Sequence, residues 1–77
     1  MTEIEFCKAQ CSDFSLAQEI WVKEYIAKKA FIGVGRAFGC LAIMPLVKED
    51  GRYYVVDTEA RLRPASTASM VKYQQES

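Results

Sequence analysis

Residues Leu46 to Val56 read LVKEDGRYYVV, and the Asp50-Gly51 step at their centre restricts the fold more than any other feature of the chain. Aspartate and glycine tolerate the positive φ angles of a two-residue type I′ turn, so the β-forming residues on either side are directed into an antiparallel hairpin. That turn pairs Glu49 with Arg52, Lys48 with Tyr53, Val47 with Tyr54 and Leu46 with Val55. Opposite charges then meet beside the turn. Period-two alternation puts Val47, Tyr54 and Val56 on one face and Leu46, Tyr53 and Val55 on the other. Both faces are apolar. A helix can cover one of them, and the second needs the C-terminal segment or a partner.

At 77 residues the chain holds one domain, and its 51% hydrophobic content is enough for one core. Ten basic residues balance ten acidic ones, so no net field draws the molecule to nucleic acid or an anionic membrane. Arg36 interrupts the longest apolar run well short of a membrane span. The opening MTEIEF carries acids where a secretory signal would carry lysines, which predicts a cytoplasmic protein. The three cysteines, Cys7, Cys11 and Cys40, have no disulfide-framework or zinc-knuckle spacing and read as free thiols. No histidine is present, which removes the commonest general base and every Ser-His or Cys-His nucleophile. The chain therefore reads as a non-enzyme that needs no cofactor and no metal.

Thr2 to Cys7 alternates, with Ile4 and Phe6 on one side, which predicts a half-buried strand. Ser15-Leu-Ala-Gln18 fits a capping box, and the Gly- and Pro-free run that follows predicts a helix from about residue 15 to residue 30. On a helical wheel Leu16, Ile20, Ala27 and Phe31 form the inward side, with Ala17 and Trp21 at its edge and Val22 and Ile26 opposite.

Three of the four glycines, Gly33, Gly35 and Gly39, follow within seven residues. Their G-x-G-x-x-x-G spacing is one residue longer than the dinucleotide fingerprint, and no βαβ unit surrounds it. With no lysine followed by Ser or Thr it is not a phosphate-binding P-loop either. The glycines read instead as sites of close backbone packing. Ala30, Val34, Ala37, Phe38 and Leu41 recur at helical steps, so a broken or long helix is favoured here, with strands at Phe31–Arg36 and Leu41–Met44 as the competitor. Beyond the hairpin, Glu59 to Arg63 alternates with Ala60 and Leu62 inward, which extends the second hairpin strand or forms a third, and Pro64 ends it. The expected architecture is α+β in the order strand, helix, hairpin, with an antiparallel sheet packed on the helix. Residues 1–64 form the domain, and residues 65–77 form a flexible or short helical tail.

The candidate partner-binding residues are Tyr53, Tyr54, Lys48 and Arg52 on the hairpin, a basic cluster of Lys28, Lys29 and Arg36 at the helix break, and Arg61 with Arg63 near the sheet edge. Tyrosines beside arginine or lysine are the usual composition of interface anchors. A protein partner is expected, with a second copy of the chain as one option; nucleic acid ranks lower, and no membrane partner is expected. In its size and its lack of catalytic groups the chain resembles the small inhibitors that phages make against host enzymes and defence systems, anti-CRISPR proteins included. That resemblance is one of style, carried by no motif, and it implies an inhibitor or adaptor that covers a protein surface. The alternative is a winged-helix DNA-binding regulator, with helices at Lys23–Ala30 and Val34–Ile43 and the Asp50-Gly51 hairpin as the wing.

Overall fold

The computed structural model describes residues 1–74, and it is α+β: two helices on one side of a five-stranded antiparallel sheet. In chain order the elements are α1 (Glu3–Gln10), α2 (Leu16–Ala27), β1 (Phe31–Gly35), β2 (Met44–Glu49), β3 (Arg52–Val56), β4 (Leu62–Pro64), a 3-10 turn at Thr67–Ser69, and β5 (Val71–Lys72). The strands lie in the order β4-β3-β2-β1-β5. The β2–β3 hairpin has the register that Asp50-Gly51 imposes, with Glu49 opposite Arg52 and Leu46 opposite Val55. Asp50 and Gly51 both take positive φ, at 50° and 76°.

The first element differs from the sequence reading, because Thr2 to Cys7 lies in a helix. Thr2 and Glu5 form a reciprocal capping box: the Glu5 amide donates to Thr2 Oγ1 at 3.2 Å and the Thr2 amide donates to Glu5 Oε1 at 2.9 Å. Ile4, Cys7 and Cys11, three and four residues apart, then pack together against Val22 and Val34. A six-residue alternation fits both periods, and the cap decides between them.

α2 begins where its capping box predicts, with Ser15 accepting from the Gln18 amide and the Gln18 carboxamide oxygen accepting from the Ser15 amide. Its buried side is Gln18, Val22 and Tyr25, so the predicted inward face is turned outward. Leu16, Ile20 and Trp21 are exposed. The reason is polar: Gln18 Nε2 donates to the Val56 carbonyl at 2.9 Å, which lets a polar side chain be fully buried without loss.

Residues 31–43 are a strand and a loop, where a helix is favoured on periodicity. β1 pairs with β2 on one side and β5 on the other, with an irregularity between Phe31 and Gly33. A Cβ on Gly33 would run into the Val71 carbonyl oxygen and the backbone of Lys72 and Tyr73. Gly39 takes φ +73° in the following loop. In a helix interior each glycine would cost about 1 kcal/mol against alanine. In the observed fold one permits a close crossing and another a left-handed turn.

The sheet has a core on each face. Toward the helices, Val34, Val47 and Val56 pack with Cys7, Val22 and Tyr25. On the opposite face Met44, Leu46 and Val55 pack with Ala37, Ala65 and the partly buried Met70. The second hairpin face is thus covered by residues 65–70, within the segment read as a tail. β5 continues from there, tied to β1 by the Tyr73 amide donating to the Ile32 carbonyl at 2.8 Å. The Tyr73 ring meets Phe6 edge-on at 5.1 Å, and its hydroxyl donates to the Met1 carbonyl at 2.6 Å, so Tyr73 joins β5 to α1 and to the residue before its cap. β4 is a third strand beside the hairpin but begins only at Leu62: the Glu59–Arg63 alternation is broken by a turn in which Ala60 takes φ 64° and packs inward, and Leu62 is exposed.

Candidate functional site

Five residues, Ala37 to Leu41, form a ridge between β1 and β2, flanked by two hollows of about 510 and about 470 Å³. The ridge is held at several points. The Arg36 Nε donates to the Leu41 carbonyl at 3.1 Å, and the Cys40 amide donates to the Ala37 carbonyl at 3.2 Å. Farther along, Ser12 and Ile43 bond twice: the Ile43 amide donates to Ser12 Oγ at 2.9 Å, and the Ser12 amide donates to the Ile43 carbonyl at 3.1 Å. Its base is anchored by the buried Ala37, which bridges to Ala65. Its crest is apolar and open to solvent, with Phe38 70% and Leu41 89% exposed. Holding large apolar side chains out in a fixed loop lowers the ordering cost of a contact.

The larger hollow lies between this ridge and the turn that follows β3, with Asp13, Cys40, Asp57 and Arg63 among its lining. Asp57 is buried and organises the turn. Its Oδ1 accepts from the amides of Glu59 at 3.0 Å and Arg61 at 2.9 Å, and its Oδ2 accepts from Arg63 Nε at 2.8 Å. Burial pushes the Asp57 carboxyl up, but the Arg63 guanidinium and the two amides outweigh it and hold the group below the usual carboxylate range. All three donors are spent on the fold, so this carboxylate is committed to structure.

The sequence-derived site residues are dispersed. Tyr53 and Tyr54 point to opposite faces of β3 and each is half-buried, Tyr53 in the Leu46 core and Tyr54 in the Val47 core. Lys48 Nζ lies 5.6 Å from the Tyr53 ring centre. Arg52 is exposed beside the turn, opposite Glu49. Lys28, Lys29 and Arg36 do not form one cluster, because β1 intervenes: at 3.3 Å per residue the extended chain from residue 29 to residue 36 spans roughly 20 Å. Lys28 Nζ lies instead 5.3 Å from the Tyr25 ring centre, and Lys29 closes α2 with φ 59°. Arg61 pairs with Glu59 at 3.6 Å, and Arg63 with Asp57 at 2.8 Å.

Periodicity missed Phe38 and Leu41 by assigning them to a buried helical face. Their signal is two large apolar residues flanking a glycine in a segment too glycine-rich for a stable helix. The helix needed at Val34–Ile43 for a helix-turn-helix is strand and loop, which removes the structural basis of the winged-helix alternative.

Cys7 and Cys11 are adjacent free thiols. A hydrogen bond to Cys11, and then burial, push Cys7 upward, and the same contact lowers Cys11. Among the described residues no three His, Cys, Asp or Glu side chains gather as metal ligands would, and no helix is long and apolar enough to cross a membrane. Compared with protein-family models, curated proteins and solved structures, the chain matches none.

Proposed function

We propose that this protein is a non-catalytic protein-binding module, acting as an inhibitor or adaptor, and that it engages its partner with the Ala37–Leu41 ridge. The observation that carries this reading is the exposure of Phe38 and Leu41 on a loop pinned by Arg36, Ser12 and Ala37. Anchor residues of protein interfaces are large side chains that enter a partner's pocket, and hollows on either side of a ridge accept the rim of that pocket. Arg36, exposed at the base of the ridge, supplies a rim cation. The hairpin contributes less than its composition suggests, because Tyr53 and Tyr54 already spend much of their surface on the two cores. The resemblance to phage inhibitors of host enzymes and defence systems is compatible with such a surface and adds no residue to it.

The test is affinity purification of the tagged protein from its native cell, comparing wild type with Phe38→Asp/Leu41→Asp and with Tyr53→Ala. A partner retained by Tyr53→Ala and lost by the ridge variant supports this reading, provided the variant keeps the wild-type circular dichroism. A partner lost only with Tyr53→Ala moves the surface to the hairpin. Recovery of nucleic acid in place of protein rejects the reading.

A further inference from the structure

Two of the chain's three thiols face each other inside the fold. Cys7 lies in the second half of α1 and Cys11 caps its C-terminus, where the Cys11 amide donates to the Cys7 carbonyl at 2.8 Å. Both side chains turn into the apolar cluster that holds Val22 and Val34, and the Cys7 thiol donates a hydrogen bond to the Cys11 sulfur. Four residues of helix rise about 6 Å, a Cα separation that a disulfide accepts. Side chains so spaced have Cβ atoms about 5–6 Å apart, and an S–S bond needs them closer by about 1–2 Å. Cys11 supplies that closure, because its φ of −73° and ψ of 145° place it outside the helical turn and free its side chain from the rotamer limits of a helix interior.

The two thiols differ in what can reach them. Cys7 is fully buried, whereas Cys11 is half-buried and open to a small solute. Their contact lowers Cys11, so it is the readier thiolate, and pushes Cys7 up, so it keeps its proton. We propose that Cys7 and Cys11 form an oxidative modification site, at which hydrogen peroxide oxidises Cys11 and Cys7 resolves the product as an intramolecular disulfide. In the first step the Cys11 thiolate attacks one peroxide oxygen: an S–O bond forms, the O–O bond breaks, and hydroxide leaves and takes up a proton as water. The sulfur loses two electrons and the peroxide gains them, leaving Cys11 as a sulfenic acid. In the second step the Cys7 sulfur attacks the Cys11 sulfur: the S–S bond forms, the S–O bond breaks, and the sulfenic oxygen leaves as a second water with the Cys7 proton. Two thiols and one hydrogen peroxide thus give one disulfide and two waters. A protonated, buried Cys7 suits this step, because its proton departs with the leaving oxygen. Cys40 is exposed and has neither other thiol beside it, so it takes no part, and the site uses no residue of the ridge.

The test treats the full chain carrying Cys40→Ser, which removes the exposed thiol, with hydrogen peroxide and then blocks remaining thiols with iodoacetamide under denaturing conditions. The intact chain should lose the mass of two hydrogen atoms and both alkylatable thiols, and dithiothreitol should restore them. Trypsin cuts after Lys8, between the two cysteines, so residues 1–8 and 9–23 should stay joined until reduction. Residues 9–23 contain no methionine, so oxygen found on that peptide reports Cys11. Adding Cys7→Ala should convert the outcome to oxygen uptake on Cys11, with circular dichroism to check the fold. Adding Cys11→Ser, at the less buried position, is the second variant and should leave Cys7 unoxidised under the same treatment. Retention of both alkylatable thiols, separate peptides with oxygen on Cys11 while Cys7 is present, a disulfide that joins two copies of the chain, or oxidation of Cys7 in the Cys11→Ser variant overturns the proposal.

Discussion

On one face of the sheet Val34, Val47 and Val56 lie beneath two capped helices; on the other, Met44, Leu46 and Val55 lie beneath residues 65–70, of which three are in a 3-10 turn. The apolar side chains beneath are of the same kind. Their covers reach the sheet by different means. The helices bring their own backbone hydrogen bonds and can stand a side-chain length away from the strands. An irregular segment must bond to its neighbours, so it runs closer: the Ser66 amide donates to the Arg36 carbonyl at 2.8 Å, and the Arg36 amide donates to Ser69 Oγ at 3.1 Å. The helical face therefore depends on side-chain volume and a few polar ties. The opposite face depends on backbone proximity, and that proximity is tightest just beyond this cover, where Val71 and Lys72 cross Gly33 of β1.

The largest expected effect follows from that dependence. Gly33→Ala places a methyl group against the Val71 carbonyl and the Lys72 backbone, neither of which can give way like a flexible side chain. The substitution should cost about 3 kcal/mol in urea unfolding. In hydrogen exchange the Tyr73 amide should lose protection before the β2–β3 ladder does. Gly35→Ala is the control, because its Cβ would meet Ser69, Met70 and Leu46 atoms at 3.7 to 3.9 Å, an ordinary contact. Equal losses at the two positions would show that close approach of the Val71–Tyr73 backbone is not what Gly33 supplies.

A second, smaller effect belongs to the helical face. The turn after β3 is tied to α2 by Ser15 Oγ donating to the Thr58 carbonyl at 2.9 Å, and Asp57 closes that turn. Asp57→Ala strands two amides and the Arg63 guanidinium, and should cost about 2 kcal/mol at neutral pH. Asp57→Asn keeps an acceptor for the amides and should lose less. Because the folded carboxyl is held below the unfolded value of about 3.9, its stabilisation is present above that pH and is lost as the pH falls toward the folded value. Acid titration monitored by circular dichroism should therefore show a shallower loss of structure for Asp57→Asn. An unchanged acid limb would break the link between this turn and the helical face.

What the sequence makes legible in this molecule is what is settled locally. Asp50-Gly51 determines its turn with two residues and the register with four more, and Ser15-Gln18 determines a helix start within one turn. The segment from Phe31 to Ile43 is different, because its strand pairs with residues 44–47 and 71–72 and no window along the chain contains both partners. Its apolar residues happen to fit a helical period as well. α2 was legible as a helix but not in its rotation, since burial of Gln18 is favourable only once the Val56 carbonyl is in place. The candidate site was the least legible part. Composition points to Tyr53 and Tyr54, whereas exposure, which decides what a partner can reach, depends on where residues 65–70 lie.

The smallest expected effect tests whether the helical face includes a polar tie to the hairpin. Tyr25 is buried at the end of α2 nearest the β2–β3 turn, and burial, followed by a hydrogen bond to the Glu49 carboxylate, pushes its hydroxyl up to about 12. Both causes oppose the phenolate, so the folded state keeps the proton after an unfolded tyrosine, near 10, has released it. Between about pH 10 and about pH 12 the unfolded state binds fewer protons than the folded one, and stability falls as the pH rises through that window. Tyr25→Phe removes the titrating group, so its unfolding midpoint should decline less steeply across the window. At neutral pH the same variant gives up the hydroxyl's interaction with Glu49 and should lose less than about 1 kcal/mol, as read from urea unfolding. Parallel alkaline limbs for Tyr25→Phe and wild type would mean that the hydroxyl reaches water, leaving α2 held to the hairpin by apolar contact alone.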